Sequence, residues 1–451
     1  MRRSSDISTS NQTVTAEVEL PARSIEPFEP LGLQEMEIPQ LPPADHGKQA
    51  YLVLAGCTLI QAPVWGYPLA FGIFQEYYTT RSGIEGSAGA FASIGTSLTG
   101  IMYLMMPLTF TLLTRYPRLR PYCGPVGLVI AVGSLILSSF ATKVWQLIAS
   151  QGVLCAIGSG LLFSPTTLYL DEWFIAKKGM AYGTMWAGKS VAGVVMPFVM
   201  NALLDSYGPR TTLQAWAVTL LIITAPLLFF LKPRVPVNKS AASERRKISF
   251  EFLKHSTFWM LELGNIIQSF GYFLPNTYLA SYAHALGLQG LTGTILLAVF
   301  GFASAPGGLV IGMLGDRLPV TTVILISSLG STIAVFLFWG LSTHLALLTV
   351  FAIFYGFFAG GFSSTWSGVL IEVKRQDANV DTGLVLGLLL GGRGIGNIIS
   401  GPISGALMSS AWSTAGKTGY STEYGPLILF TGATALFGGW GWIWKSLRVS
   451  T

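Results

Sequence analysis

The sequence predicts an all-α membrane protein with twelve transmembrane helices arranged as two six-helix halves. Three observations carry that prediction. Of 451 residues 51% are hydrophobic, only 11% are charged and 52 are glycine, a composition too apolar for a soluble enzyme and suited to closely packed membrane helices. Beyond Gly47 the chain divides into apolar runs of the length that a ~30 Å hydrocarbon layer demands, about 20 helical residues each. One such run also recurs. Gly179–Gly193, GMAYGTMWAGKSVAG, lies over Gly383–Gly396, GLVLGLLLGGRGIG, at an offset of 204 residues that pairs Gly179 with Gly383, Gly183 with Gly387, Gly188 with Gly392 and Lys189 with Arg393.

Residues 1–46 are rich in Ser, Thr, Pro and Glu and have neither a helical apolar period nor a signal-peptide core, so a disordered cytoplasmic tail is expected. The sequon Asn11-Gln12-Thr13 within it is expected to stay unmodified on that side of the membrane. Residues 47–231 form the N-terminal half, with spans near 50–75, 88–112, 121–141, 145–170, 179–204 and 212–231. A hydrophilic linker, 232–256, follows and contains Glu244-Arg245-Arg246-Lys247. Residues 257–451 form the C-terminal half, with spans near 257–281, 290–313, 319–341, 344–371, 383–408 and 425–444, and end in a short cytoplasmic tail.

Basic loops resist translocation. With the amino terminus inside, 21 of the 27 Lys and Arg residues fall on the cytoplasmic side and only Arg81, Lys143, Arg210 and Lys417 on the other. Both termini are therefore expected in the cytoplasm, and the plasma membrane is the default compartment. This placement accounts for the net charge of +6 without a nucleic-acid partner. Cys57, Cys123 and Cys155 all lie in apolar runs and are odd in number, so they are read as packing, with no disulfide framework and no metal site. No cofactor is expected. Gly188-Lys189-Ser190 has the ending of a phosphate-binding loop, but the glycine that should precede it, Gly183, is read as one residue too close, so an ATP-driven pump is not the expected class.

Lys189 and Arg393 are left inside the membrane. A charge at mid-membrane costs roughly 2.5–3.5 kcal/mol even on lenient scales, so such residues normally face a bundle interior or a wet cavity. Each stands ten residues after its aligned glycine, about 15 Å along a helix rising 1.5 Å per residue, which is half the bilayer. At helical spacings Lys189 shares a face with Tyr182, Met185 and Met196, and Arg393 with Leu386, Asn397 and Ser400. The seventh span offers Asn265, Gln268, Tyr272 and Asn276 as one polar stripe. The tenth adds Tyr355, Ser363, Thr365 and Trp366. Acids are scarce: Glu262 is expected about one turn inside the cytoplasmic end of the seventh span, and Asp171 and Glu172 at the end of the fourth, so none is expected at midplane. Two similar halves with matched cations point to alternating access around a central site.

Several stretches resemble a known family. Asp45-His46-Gly47, the span end Ala70-Phe71-Gly72-Ile73-Phe74-Gln75-Glu76-Tyr77-Tyr78, Trp173-Phe174 before Lys177-Lys178-Gly179-Met180-Ala181, Ala187-Gly188, Arg393-Gly394-Ile395-Gly396-Asn397 and Gly401-Pro402 are similar to the fungal monocarboxylate-transporter-like branch of the major facilitator superfamily. The resemblance covers residues 45 to about 445 and implies twelve helices and secondary transport. Gly312-Met313-Leu314-Gly315-Asp316-Arg317 is similar to the superfamily's gating motif, which implies gating roles for Asp316 and Arg317; the loop after the second span, 115–120, lacks that motif's glycine and aspartate. Animal lactate carriers place an aspartate and an arginine in the eighth span and a lysine in the first, and this sequence has no counterparts there. The expected function is a secondary active transporter, monomeric in the bilayer, that moves a small carboxylate-bearing solute, with protons as the coupling ion of a symporter. The alternative is an efflux pump for a larger fungal secondary metabolite, and a minor one is a non-transporting membrane sensor.

Overall fold

The computed structural model describes residues 42–81, 83–175, 178–234, 250–288, 290–377, 380–410 and 418–449. The tail up to residue 41 with its sequon, most of the linker (235–249) and the side chain of Asp316 lie outside the described residues. The described residues are helices joined by short turns. α1 spans Lys48–Thr80, α2 Ala88–Arg115, α3 Pro117–Ser138 and α4 Val144–Trp173. α5 is Lys178–Leu228, α6 Ser256–Tyr272, α7 Leu274–Ala285 and α8 Thr292–Arg317. α9 is Val320–Trp339, α10 Leu345–Gln376, α11 Thr382–Met408 and α12 Gly425–Leu447.

Among the described residues ten of these helices are long and apolar enough to cross a membrane, and local backbone chemistry brings the crossings to twelve. α5 has 51 residues, roughly 75 Å at 1.5 Å per residue, more than two bilayer cores. It folds in two at Gly208, whose φ of +71° is open to glycine and strained for other residues, and Pro209 then starts the second arm with no N–H to satisfy. α6 and α7 together make one more crossing, broken at Phe273, which caps the first helix and precedes Pro275 of the second. Large apolar side chains such as Leu108, Val129 and Phe302 are at least 70% exposed around the outside of the bundle, where lipid would cover them.

Glycines set how closely the helices meet. α2 crosses α11 with Gly89 against Gly405 and Gly100 against the carbonyl of Gly394; a Cβ on Gly89 would lie 2.2 Å from the Gly405 Cα. The first arm of α5 crosses α8 where Gly193 meets Gly301. Inside each half the same joint recurs. A Cβ on Gly188 would strike the carbonyl of Thr58 on α1, and one on Gly392 would strike the carboxyl of Glu262 and the side chain of Ile266 on α6. Thr58 and Glu262 are again 204 residues apart, so the internal repeat extends to the neighbours of the two cations.

At the end of the bundle holding Arg115 and Trp173, charged groups tie the N-terminal half together. Arg120 pairs with Glu172, whose other oxygen accepts the Arg234 backbone N–H at 3.1 Å, while Arg234 Nε donates to the Pro42 carbonyl at 2.8 Å. At the same end of the C-terminal half, Glu372 receives Arg375 and Lys445, each at 3.5 Å. Arg120, at the start of α3 just after the loop that lacks the motif's glycine and aspartate, is thus engaged, while Arg317 is exposed and has no ion pair among the described residues.

Candidate functional site

Lys189 projects from the first arm of α5 onto aromatic rings. Its Nζ lies 4.1 Å from the Trp65 ring centroid and 5.4 Å from that of Trp186, within the range where a ring quadrupole attracts a cation. Phe163 completes the cage, 6.2 Å from Trp65 and 5.8 Å from Trp186. The Trp65 indole is fixed by Gln61, whose Oε1 accepts its N–H at 3.1 Å and whose amide donates to the Cys57 carbonyl at 3.1 Å. Lys189 is half-buried and has no anionic partner among the described residues.

Arg393 sits in the corresponding place on α11 and is fully buried. Its Cζ lies 3.8 Å from the Tyr272 centroid, 5.4 Å from Trp366 and 5.6 Å from Phe362. Among the described residues Nε, Nη1 and Nη2 have no hydrogen-bond partner. Cation–π contact returns about 2 kcal/mol in a desolvated site, which leaves the five-donor fork of a guanidinium unsatisfied. Again an amide fixes an indole: Asn265 Oδ1 accepts the Trp366 N–H at 3.4 Å, and its Nδ2 donates to the Leu389 carbonyl at 2.7 Å and to Glu262 Oε2 at 3.4 Å. Gln61 and Asn265 are 204 residues apart, so the two cages share a plan. The floors of the two cages are linked through rings: Tyr103 neighbours Trp65 on one side and Phe273 on the other, and Phe273 neighbours Tyr272.

Tyr355 donates its hydroxyl to the Tyr272 carbonyl at 3.2 Å and holds that ring under Arg393. Asn397, one turn beyond Arg393, is fully buried, and neither end of its amide has a hydrogen-bond partner among the described residues. Tyr182 donates to the Thr167 carbonyl at 3.3 Å, and Met196 fills the space over Gly66, so neither adds to the Lys189 cage. The polar stripe of the seventh span does not hold together. Asn265 and Tyr272 face Arg393, but Gln268 packs against Gly438 of α12 with its Oε1 unpaired, and Asn276 lies beyond the break on α7, donating to the Leu69 carbonyl of α1 at 3.4 Å. The neighbours divide the stripe: α12 lies on Gln268 and α1 on Asn276.

Two further corrections follow. Glu262 is 5% exposed, not a rim residue, because α11 packs directly on its carboxyl at Gly392. Counted from Gly183, the stretch GTMWAGKS spells a full phosphate-binding loop, but it lies inside the continuous helix α5, whose backbone N–H groups bond within the helix and cannot cradle a phosphate. Sequence reasoning missed Trp65, Trp186, Tyr103, Phe273 and Phe362, since an aromatic residue inside an apolar run looks the same whether it faces the core or a site. The repeat offset applied to Gln61 and Asn265 was the available signal. Among the described residues no group of His, Cys, Asp and Glu is placed to hold a metal.

Paired cations on aromatic floors, set between two six-helix halves, define an integral membrane carrier. The chain belongs to the Major Facilitator Superfamily, whose family model matches residues 54–307 and 261–450. It is 28% identical over 334 residues to the MFS-type transporter pynF of Aspergillus niger, covering 74% of this chain and 76% of that one. It is 27% identical over 339 residues to the Fujikurins efflux protein of Gibberella fujikuroi, covering 73% and 70%. Its fold is similar to that of the nucleoside transporter NupG, with a TM-score of 0.62 at 14% identity over 86% of this chain and 98% of the other.

Proposed function

We propose that the protein is an exporter of an acid-bearing fungal secondary metabolite, working by alternating access with Lys189 and Arg393 as the anion sites. The observation that carries this reading is Arg393: a fully buried guanidinium whose three nitrogens have no hydrogen-bond partner among the described residues is an incomplete arrangement that a carboxylate or enolate completes bidentately. Asn397, equally buried and unpaired, supplies a neutral donor and acceptor beside it. The efflux protein among the relatives supports a larger cargo than a short monocarboxylate, and the broad aromatic floors suit an apolar body attached to the acid. The resemblance to the monocarboxylate-transporter-like branch supports the acid itself. The loop charges support an orientation with both termini cytoplasmic, in the plasma membrane.

The test compares a carboxylic acid with its amide in binding titrations of purified protein. Arg393→Gln and Lys189→Gln are each expected to weaken the acid by about 2–5 kcal/mol, the cost of truncating one partner of a buried charge pair, and to leave the amide unchanged. Arg393→Lys is expected to lose much of the acid affinity as well, because a point charge does not reproduce the fork. Equal loss of acid and amide would make the cations structural. Retained binding with no movement of the acid in proteoliposomes would favour a sensor.

A further inference from the structure

A line of rings runs between the two cations. From the Trp65 floor under Lys189 it passes to Tyr103 on α2 at 5.3 Å, crosses to Phe273 at 6.3 Å and reaches Tyr272 under Arg393 at 4.6 Å. Trp65, Tyr103, Phe273 and Tyr272 are all at least 93% buried. Trp65 and Tyr103 belong to the N-terminal half, Phe273 and Tyr272 to the C-terminal half. The Tyr103–Phe273 contact joins the halves, and at 6.3 Å with planes tilted by 48° it is the longest link, near the outer limit of favourable ring pairing. When the halves rock apart, this link opens. Phe273 stands at the junction of α6 and α7, and its carbonyl accepts from the Thr277 N–H at 3.1 Å, so its ring is carried by α7.

We propose that the cargo is a flat, conjugated acid whose π-face lies along this line and enters between Tyr103 and Phe273, with its acidic group on Arg393. Each ring gives up a loose, tilted partner and gains a stacked one, and the bound body then touches both halves at once, which is what a carrier's substrate must do to be handed from one open side to the other. Tyr103 and Phe273 thereby become specificity residues: they distinguish a conjugated body from a saturated one of the same outline, while the cations distinguish an acid from its amide. This inference rests on the reading of Arg393 as the anion site, but it makes a separable claim about the body of the ligand.

The experiment uses 2-naphthoate, its fully saturated decahydro counterpart and 2-naphthamide in binding titrations of the purified full chain. Wild type is expected to bind 2-naphthoate roughly 3- to 10-fold tighter than the saturated acid, the factor that an aromatic contact of about 0.5–1.5 kcal/mol gives. Tyr103→Leu and Phe273→Leu are each expected to erase that preference and keep the acid-over-amide preference; Tyr103→Phe is expected to keep both. Arg393→Gln is expected to do the reverse, losing the acid preference and keeping the flat one. If wild type binds the flat and saturated acids equally, or shows no saturable binding of 2-naphthoate, the inference fails without recourse to any variant. If 2-naphthamide binds as tightly as 2-naphthoate while the flat-over-saturated preference stands, the anion reading fails and the ring line survives it.

Discussion

Arg393 is held in place by a relay of side chains that starts at Glu262. The carboxyl of Glu262 lies against Gly392 and accepts from the Asn265 amide at 3.4 Å, Asn265 holds the Trp366 indole, and Trp366 flanks the guanidinium. A neutral isostere preserves the relay and a truncation breaks it. Glu262→Gln is expected to bind the acid ligand within about twofold of wild type, and Glu262→Ala to lose about 0.5–1.5 kcal/mol, the worth of one buried hydrogen bond. Titration of both variants decides: equal losses would show that charge at 262 matters rather than the bond to Asn265, and no loss in either would remove Glu262 from the site. The two cations were legible in the sequence because a charge inside an apolar run has few structural explanations. Glu262 was misplaced because counting residues from the start of a span measures depth along one helix, whereas its burial comes from α11 lying across it.

Among the elements, the α2–α11 and α5–α8 crossings depend on backbone meeting backbone. A Cβ at Gly394 would stand 2.5 Å from the Gly100 carbonyl and 2.6 Å from the Leu104 nitrogen, neither of which has a rotamer to change, while one at Gly133 on α3 meets nothing within 4 Å. Gly394→Ala is therefore expected to lower thermal stability, by about 1–3 kcal/mol as for other overpacked contacts. Gly133→Ala is expected to raise stability by about 0.5–1 kcal/mol through helix propensity alone. Melting curves of the two variants in one detergent check this; a destabilised Gly133→Ala or an unaffected Gly394→Ala would contradict the packing described. Hydropathy located nearly every crossing to within a few residues, since span length and apolarity are properties of the sequence itself. It gave no sign of which neighbour each residue of the seventh span meets, α11 for Asn265, α12 for Gln268 and α1 for Asn276, and so it read Asn265 to Asn276 as a single stripe.

For the whole molecule the two halves meet at the end of the bundle where α1 and α7 finish. There Gly72 of α1 lies under the backbone of α7, so close that a Cβ would stand 2.5 Å from the Asn276 carbonyl, and Asn276 in turn donates to Leu69. A carrier opens such a joint to expose its centre on that side, which is the outside in the orientation proposed above. Gly72→Ala cannot be absorbed by a side-chain rotation, because the atom in its way is backbone, so it is expected to wedge α1 from α7 and shift the population toward the outward-open form. A cysteine at Gln75, one turn along and 1% exposed, reports the change once Cys57, Cys123 and Cys155 are replaced. A membrane-impermeant maleimide added outside sealed cells is expected to label Gln75→Cys slowly and the Gly72→Ala, Gln75→Cys pair several-fold faster. Unchanged labelling would mean that the α1–α7 joint does not close the pathway, and labelling confined to inside-out vesicles would reverse the proposed orientation.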